Sequence, residues 1–159
     1  MRITSTSPGM TQQIAAALAR RVRAGDLLAL TGPLGAGKTC FTQGLARGLG
    51  IGQVVASPSF VLARHYPGSP GLLHVDAYRL SSAEEFWDLG LQEPLESSVS
   101  AVEWASNIEP ALPEDRLDVE FQDAGGEVRV IEFRPHTPRW REVLAWLARE
   151  LALMVESSA

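Results

Sequence analysis

The chain places its only lysine inside a glycine-rich segment, residues 32–39, that reads GPLGAGKT. Fourteen residues are Lys or Arg, and every one except Lys38 is Arg. The segment satisfies the pattern G-x-x-x-x-G-K-[ST], in which glycines let successive backbone N–H groups turn around a phosphate. In this pattern Lys38 would reach the β- and γ-phosphates of a nucleotide, and the Thr39 hydroxyl would bind Mg²⁺. Because a slim ammonium is not replaceable by Arg where a tight loop encloses phosphate, the pattern explains the single lysine.

The flanking sequence fits a phosphate-binding loop. Residues 26–32 form an apolar run that predicts a strand buried on both faces, and residues 38–50 predict a helix. The first N–H groups of that helix and the positive end of its dipole would face the same anion. An accidental match, at a glycine-rich turn beside a helix, is the alternative. Cys40 is interpreted as a small buried packing residue rather than a reactive thiol. The residues expected to contact the nucleotide here are Pro33, Leu34, Gly35, Ala36, Gly37, Lys38, Thr39 and Cys40.

Two acidic residues at the ends of apolar runs are candidates for the catalytic and metal-binding groups. Asp76 follows LLHV, where a P-loop fold brings an acid near Mg²⁺; an Asp that caps a turn is the alternative. Glu103 lies in SAVEWAS, and a carboxylate on a central strand is costly to bury unpaired. We expect it to meet a Mg²⁺-bound or attacking water, with a structural salt bridge to Arg as the alternative. The sequence therefore predicts Lys38, Asp76 and Glu103 as catalytic groups, and Thr39, Asp76 and Glu103 as metal ligands.

Other residues near these carboxylates have open interpretations. His74 is favoured as a hydrogen-bonded core histidine over a catalytic base. On a regular strand Trp104 would point away from Glu103, either into the core, which spacing favours, or toward a nucleotide. Residues 56–66 follow the predicted helix, where many P-loop proteins sense the γ-phosphate. A surface loop that enters a strand at residues 60–63 is an equal alternative. The polar candidates in that segment are Ser57, Ser59 and Arg64.

Strands and helices are predicted to alternate around these residues. A short strand at residues 3–5 precedes a helix that begins at the N-cap Ser7 and stops at Gly25. Two central strands at residues 72–80 and 98–105 flank an acidic helix with a broken second half, and residues 65–71 read as one exposed loop. Residues 116–122 and 127–133 alternate with period two and predict a hairpin. A last helix at residues 138–155 has its apolar stripe at Trp140, Val143, Leu144, Leu147, Leu151 and Met154.

The predicted fold is a P-loop NTPase-like α/β three-layer sandwich, with a mostly parallel central sheet, a C-terminal antiparallel hairpin and a terminal helix. Length and composition, 159 residues of which 45% are hydrophobic, predict one domain over residues 1–159. A net charge of −5 without a basic run argues against direct nucleic-acid binding. One cysteine, no long apolar stretch and no signal-peptide core favour a cytoplasmic location.

The segments TGPLGAGKT, SPSF, HVDAYRL and VEW, in this order and followed by a hairpin and helix, resemble the bacterial TsaE (YjeE) family. The resemblance covers nearly the whole chain and implies a small Mg²⁺-dependent ATPase of tRNA threonylcarbamoyladenosine formation. It implies that Lys38 and Thr39 hold phosphate and Mg²⁺, that Asp76 belongs to the Mg²⁺ site, and that Glu103 and Trp104 act near the nucleotide. Residues 57–60 would be a switch-like loop. Where the family usually has Thr, this chain has Ser59, and a common second hydroxyl is replaced by Val61.

The resemblance also implies partners. Proteins of this family work with TsaB and TsaD, and TsaD transfers the threonylcarbamoyl group to adenosine in tRNA. We expect tRNA to be met through those partners, and ATP hydrolysis to be slow alone and stimulated by assembly. A small-molecule kinase is a second hypothesis, weakened because residues 81–98 contain no Arg or Lys for an acceptor lid. A nucleotide-gated binding module without turnover is a third.

Overall fold

A computed structural model describes residues 1–159. Strands and helices follow one another along the chain, with a 3-10 segment at Ala105–Ala111 after β5. The strands are β1 (Arg2–Ser5), β2 (Leu27–Thr31), β3 (Ala63–Tyr66), β4 (Gly71–Asp76), β5 (Ser98–Glu103), β6 (Leu117–Asp123) and β7 (Arg129–Pro135). The helices are α1 (Pro8–Ala19), α2 (Lys38–Gly48), α3 (Ala83–Trp87), α4 (Gln92–Ser97) and α5 (Pro138–Ser158). None of these helices is long and apolar enough to span a membrane.

All seven strands form one mixed sheet in the order β1-β7-β6-β2-β5-β4-β3. The pairs β6–β2, β2–β5 and β5–β4 are parallel, and the pairs toward both edges are antiparallel. The predicted mostly parallel sheet is therefore parallel only in its four central strands. Because the carboxyl ends of parallel strands lie at one edge of a sheet, the residues that end β2, β4 and β5 come together there.

The sheet is covered on both faces. Alternate residues of β2 point to opposite faces, as a strand requires: Leu28 and Leu30 belong to one hydrophobic cluster, and Leu27 and Ala29 to another. The first cluster packs against α1, α2 and α5 and contains the fully buried Trp140. The second packs against α3 and the 3-10 segment. The predicted α/β order thus produces helical layers on both sides of one sheet.

The ends of the helices differ from the prediction in physically clear ways. Ser7 caps α1 as predicted, since its hydroxyl accepts the Met10 N–H at 3.1 Å, but α1 ends at Ala19. Beyond it the chain turns, because the Asp26 carboxylate accepts the Arg23 N–H at 2.8 Å and Gly25 adopts φ 90°. The predicted acidic helix is two short helices, α3 and α4, with Gly90 at φ 67° between them.

The edge strand β3 corrects two predictions. The segment at residues 65–71 is not one exposed loop, because Tyr66 is buried and both His65 and Tyr66 pair antiparallel with β4. The strand starts at Ala63 rather than at residue 60, since Leu62 has a left-handed backbone with φ 66°. The hairpin β6–β7 and helix α5 lie where they are predicted. The α5 stripe, however, is buried only as far as Leu147.

Candidate active site

A cleft of about 690 Å³ opens at the carboxyl ends of β2, β4 and β5. Its walls combine the glycine-rich loop, the first turn of α2, the segment before β3, and the residues that follow β4 and β5. The lining residues are Leu34, Gly35, Gly37, Lys38, Thr39, Cys40, Ser57, Ser59, Asp76, Tyr78, Arg79, Glu103 and Trp104. The fold therefore brings all the predicted catalytic groups and metal ligands to one place.

Most backbone N–H groups of the loop and of the first turn of α2 have no acceptor within the protein, although the Ala36 N–H donates to the Pro33 carbonyl at 3.1 Å. Helix α2 begins at Lys38 without a side-chain cap, and its first internal bond is donated by the Phe41 N–H to the Gly37 carbonyl at 2.9 Å. Unpaired donors at a helix start, together with the helix dipole, form an anion-binding site. The groups without an acceptor include the N–H groups of Gly35, Gly37, Lys38, Thr39 and Cys40.

Glycine is required at different loop positions for different structural reasons. Gly32 has φ 140°, and a Cβ there would lie 2.6 Å from the Phe121 carbonyl oxygen, so close packing against β6 requires glycine. Gly35 and Gly37 also have positive φ, 75° and 106°, but an added Cβ meets nothing within 4 Å at Gly35. At Gly37 an added Cβ would lie 3.9 Å from the Phe121 ring, so the open space that leaves the backbone accessible to a ligand is at Gly35.

The Lys38 ammonium is buried and bonded to its own loop. It donates to the carbonyl oxygens of Gly32 at 2.7 Å and Pro33 at 2.8 Å, and lies 4.6 Å from the Trp104 ring centroid. Burial lowers the pKa of Lys38 from its usual range, and the carboxylates of Glu103 and Asp76 offset part of this effect. A cation with these contacts has one donor left for a ligand.

Glu103 is held by two side chains at the end of β5. The Thr39 hydroxyl lies 3.1 Å from both carboxylate oxygens, and the imidazole Nε2 of His74 contacts Oε2. Both His74 and Glu103 are buried, so the predicted alternative of an Arg salt bridge does not describe Glu103. The predicted core histidine is the partner of the predicted catalytic acid.

Asp76 lies opposite Glu103 in the β4–β5 register and holds the segment before β3. Its Oδ2 accepts the hydroxyls of Ser57 and Ser59, each at 3.2 Å, while Oδ1 accepts the Tyr78 N–H at 3.0 Å. Part of the candidate sensing segment is therefore tied to the cleft. Arg64, by contrast, lies on β3 and does not line the cleft.

The donor set fits Mg²⁺ bound together with phosphate. No group of three His, Cys, Asp or Glu side chains is arranged to hold a metal ion by itself. Thr39, Glu103 and Asp76 nevertheless offer a hydroxyl and two carboxylates beside the unpaired N–H groups. Mg²⁺ commonly takes one or two protein oxygens and completes its shell with water and substrate phosphate. These three residues could hold it in that way.

The remaining predicted contact residues are placed unequally. Trp104 lines the cleft because β5 ends at Glu103 and Trp104 adopts a left-handed backbone with φ 57°, so the assumption of a regular strand fails there. Cys40 lines the cleft but is only half-buried, and its thiol contacts the Pro8 carbonyl at 3.4 Å. Pro33 and Ala36 do not line the cleft. Ala36 is instead buried in the first hydrophobic cluster.

Two lining residues lie outside the sequence-based prediction. Tyr78 packs edge-on against Trp104 with ring centroids 5.1 Å apart, and Arg79 lies over Phe60 at 5.5 Å. Both follow Asp76 in HVDAYRL, directly after the end of strand β4. A prediction that ended this strand at Asp76 rather than at residue 80 would have placed them at the mouth of the site.

Comparison with known proteins gives one consistent family. The family model described as threonylcarbamoyl adenosine biosynthesis protein TsaE matches residues 5–131. A tRNA threonylcarbamoyladenosine biosynthesis protein TsaE of Streptomyces coelicolor is 47% identical over 131 residues, covering 77% of this chain and 88% of that protein. Its namesake in Bacillus subtilis is 41% identical over 147 residues, covering 91% and 92%. A crystal structure of Bacillus subtilis YdiB superposes with TM-score 0.81 at 37% identity, covering 94% of this chain and 95% of that one.

Proposed function

Because the chain belongs to the TsaE family, we propose that it binds ATP with Mg²⁺ in the cleft and hydrolyses it in support of tRNA threonylcarbamoyladenosine formation. One observation carries the proposal: five N–H groups without an acceptor surround the start of α2 beside a buried lysine. Strand β2, the loop and α2 in this order, within a parallel sheet centre, support a P-loop NTPase-like fold. A role in tRNA modification implies action in the cytoplasm.

The loop and Lys38 bind and orient the triphosphate in this proposal. The N–H groups of Gly35, Gly37 and the first turn of α2 donate to phosphate oxygens, and Lys38 exchanges its loop carbonyls for the β- and γ-phosphates. Trp104 lies over the ammonium and excludes water from one side of it. Bound Mg²⁺ supplies positive charge that neutralises the phosphate oxygens.

The carboxylates prepare the attacking water. In hydrolysis the water oxygen forms a bond to the γ-phosphorus, the bond from that phosphorus to the β–γ bridging oxygen breaks, and ADP and inorganic phosphate are the products. Glu103 is fixed by Thr39 and His74, so an oxygen of its carboxylate is positioned to take the proton that the water loses. Asp76 orients the segment with Ser57 and Ser59 against the phosphate end of the cleft.

The test measures inorganic phosphate release with and without TsaB and TsaD, for the wild type, Lys38→Ala and Glu103→Gln. We expect release to rise when the partners are added. Lys38→Ala should abolish it, because no other cation of the cleft occupies the loop. Glu103→Gln should lose release but retain bound nucleotide. A rate of phosphate release that does not change when TsaB and TsaD are added would contradict the proposed assembly. Recovery of the γ-phosphate on a metabolite would favour a kinase. Unchanged turnover in Glu103→Gln would indicate a binding module.

A further inference from the structure

The segment after β4 is fixed in the wall of the cleft. The Ala77 N–H donates to the Glu103 carbonyl at 2.9 Å, and the Leu80 N–H donates to the Ala77 carbonyl at 3.0 Å. The Asn107 amide donates to the Ala77 carbonyl at 3.0 Å, and the side chains of Ala77 and Leu80 are buried. The backbone of Arg79 is therefore anchored on both sides while its exposed side chain lines the cleft.

The Arg79 guanidinium has no polar partner. No hydrogen bond or ion pair involves it, and it rests 5.5 Å from the ring centroid of Phe60, which is 88% exposed. Arg139 and Arg116, by contrast, bind carboxylates: Arg139 binds Asp26 with both terminal nitrogens at 2.6 and 2.7 Å, and Arg116 binds Asp118 at 2.9 Å. Other arginines also lack a side-chain partner, but Arg79 is the only arginine that lines the cleft. Arg79 thus keeps all its donors available beside the cleft.

The cleft has Arg79 as the second of its two cations. Its lining contains two carboxylates, Asp76 and Glu103, and two cations, Lys38 and Arg79. In the proposed function Lys38 leaves its two loop carbonyls to bind the β- and γ-phosphates, so Arg79 is the remaining cation of the cleft. As the bond to the γ-phosphorus breaks, charge spreads over the transferring phosphoryl oxygens and the bridging oxygen, and P-loop enzymes stabilise it with an additional arginine.

We propose that Arg79 is that arginine: its guanidinium leaves the Phe60 ring and binds the transferring phosphoryl oxygens in the transition state. The inference rests on the proposed ATP hydrolysis. Arg79 takes no proton and forms no covalent bond, so the reaction remains ATP and water giving ADP and phosphate. The fork geometry of guanidinium matches two phosphoryl oxygens at once, which an ammonium does not reproduce.

The test compares Arg79→Ala and Arg79→Lys with the wild type. Phosphate release, measured with TsaB and TsaD present, should fall by about 10³-fold in Arg79→Ala, the lower end of what such arginines contribute. Arg79→Lys should recover only part of the rate. Affinity for a non-hydrolysable ATP analogue with Mg²⁺ should change by less than about threefold, whereas affinity for MgADP with aluminium fluoride, which mimics the transition state, should fall steeply.

Arg141→Ala is the matched control, because Arg141 is an exposed arginine on α5 without a side-chain partner. It should behave as the wild type. Equal losses of ATP-analogue binding and turnover in Arg79→Ala would overturn the inference, as would unchanged turnover. A wild-type protein that neither binds nor hydrolyses ATP would instead refute the proposed function itself.

Discussion

His74 and Glu103 lie on neighbouring parallel strands, and the imidazole Nε2 contacts the Glu103 Oε2 in the protein interior. The other ring nitrogen, Nδ1, is buried without a partner, so Glu103 is the only polar contact of the ring. The Thr39 hydroxyl contacts both carboxylate oxygens at 3.1 Å. The carboxylate is thus held between α2 and β4, which makes His74 a positioning residue for Glu103.

Replacing His74 by Phe, which keeps an aromatic ring but removes the hydrogen-bond donor, should lower kcat for phosphate release by about 10-fold or more. Losses of this size follow in other enzymes when a residue that orients an active-site group is removed. The KM for ATP should change little, because His74 touches no phosphate-binding group. His74→Gln, whose amide can donate to Glu103, should recover part of kcat. Steady-state kinetics on both variants separate the two effects. If both lose kcat equally, or if KM alone changes, His74 does not position Glu103.

The single lysine allows its own titration to be observed. With ¹³Cε-labelled lysine, one NMR signal reports Lys38, and we expect its pKa below the value of the unfolded chain because burial lowers it. Between the two pKa values the unfolded state binds more protons, so the free energy of unfolding should rise with pH there. MgATP should raise the pKa, since phosphate oxygens favour the charged form. A Lys38 pKa at or above that of the unfolded chain would contradict the buried site.

Two glycines form a matched pair for testing the loop. Gly35 has φ 75° and Gly50 has φ 78°, and an added Cβ meets nothing within 4 Å at either position. Gly35→Ala and Gly50→Ala should therefore each lose about 1–2 kcal/mol of unfolding free energy, the cost of a left-handed alanine. Only Gly35→Ala should weaken ATP binding, measured by calorimetry. Equal nucleotide affinities in the two variants would show that the loop is not part of the nucleotide-binding site.

The ion pair between Arg139 and Asp26 should stabilise the start of α5. Asp26 is buried, and the guanidinium binds its two oxygens at 2.6 and 2.7 Å. Arg139→Met leaves that carboxylate without its cation and should cost about 3 kcal/mol in chemical denaturation. Arg134→Met removes the ion pairs to Glu120 and Glu132 of an arginine that is 53% exposed, and it should cost less than about 1 kcal/mol. Similar losses in both variants would contradict this distinction.

The loop and the two acidic residues could be predicted because phosphate and Mg²⁺ binding require these residue types at the carboxyl ends of the strands. The pattern at residues 32–39 specifies its own strand and helix, and Asp76 and Glu103 follow apolar runs whose parallel pairing aligns their ends. The bounds of edge strand β3 were not predicted correctly, because its pairing with β4 depends on tertiary contacts and not on an alternating pattern in its own sequence. Trp104 is expected near the nucleotide only from the family resemblance, because strand periodicity favours the core and a left-handed residue breaks that period.

The two carbonyls that hold Lys38 have a consequence for the end of a catalytic cycle. In the proposed ATPase, the ammonium would return to these two carbonyl oxygens when the product phosphates leave. Nucleotide release and rebinding would then each exchange one set of acceptors for another, the loop carbonyls and the phosphate oxygens.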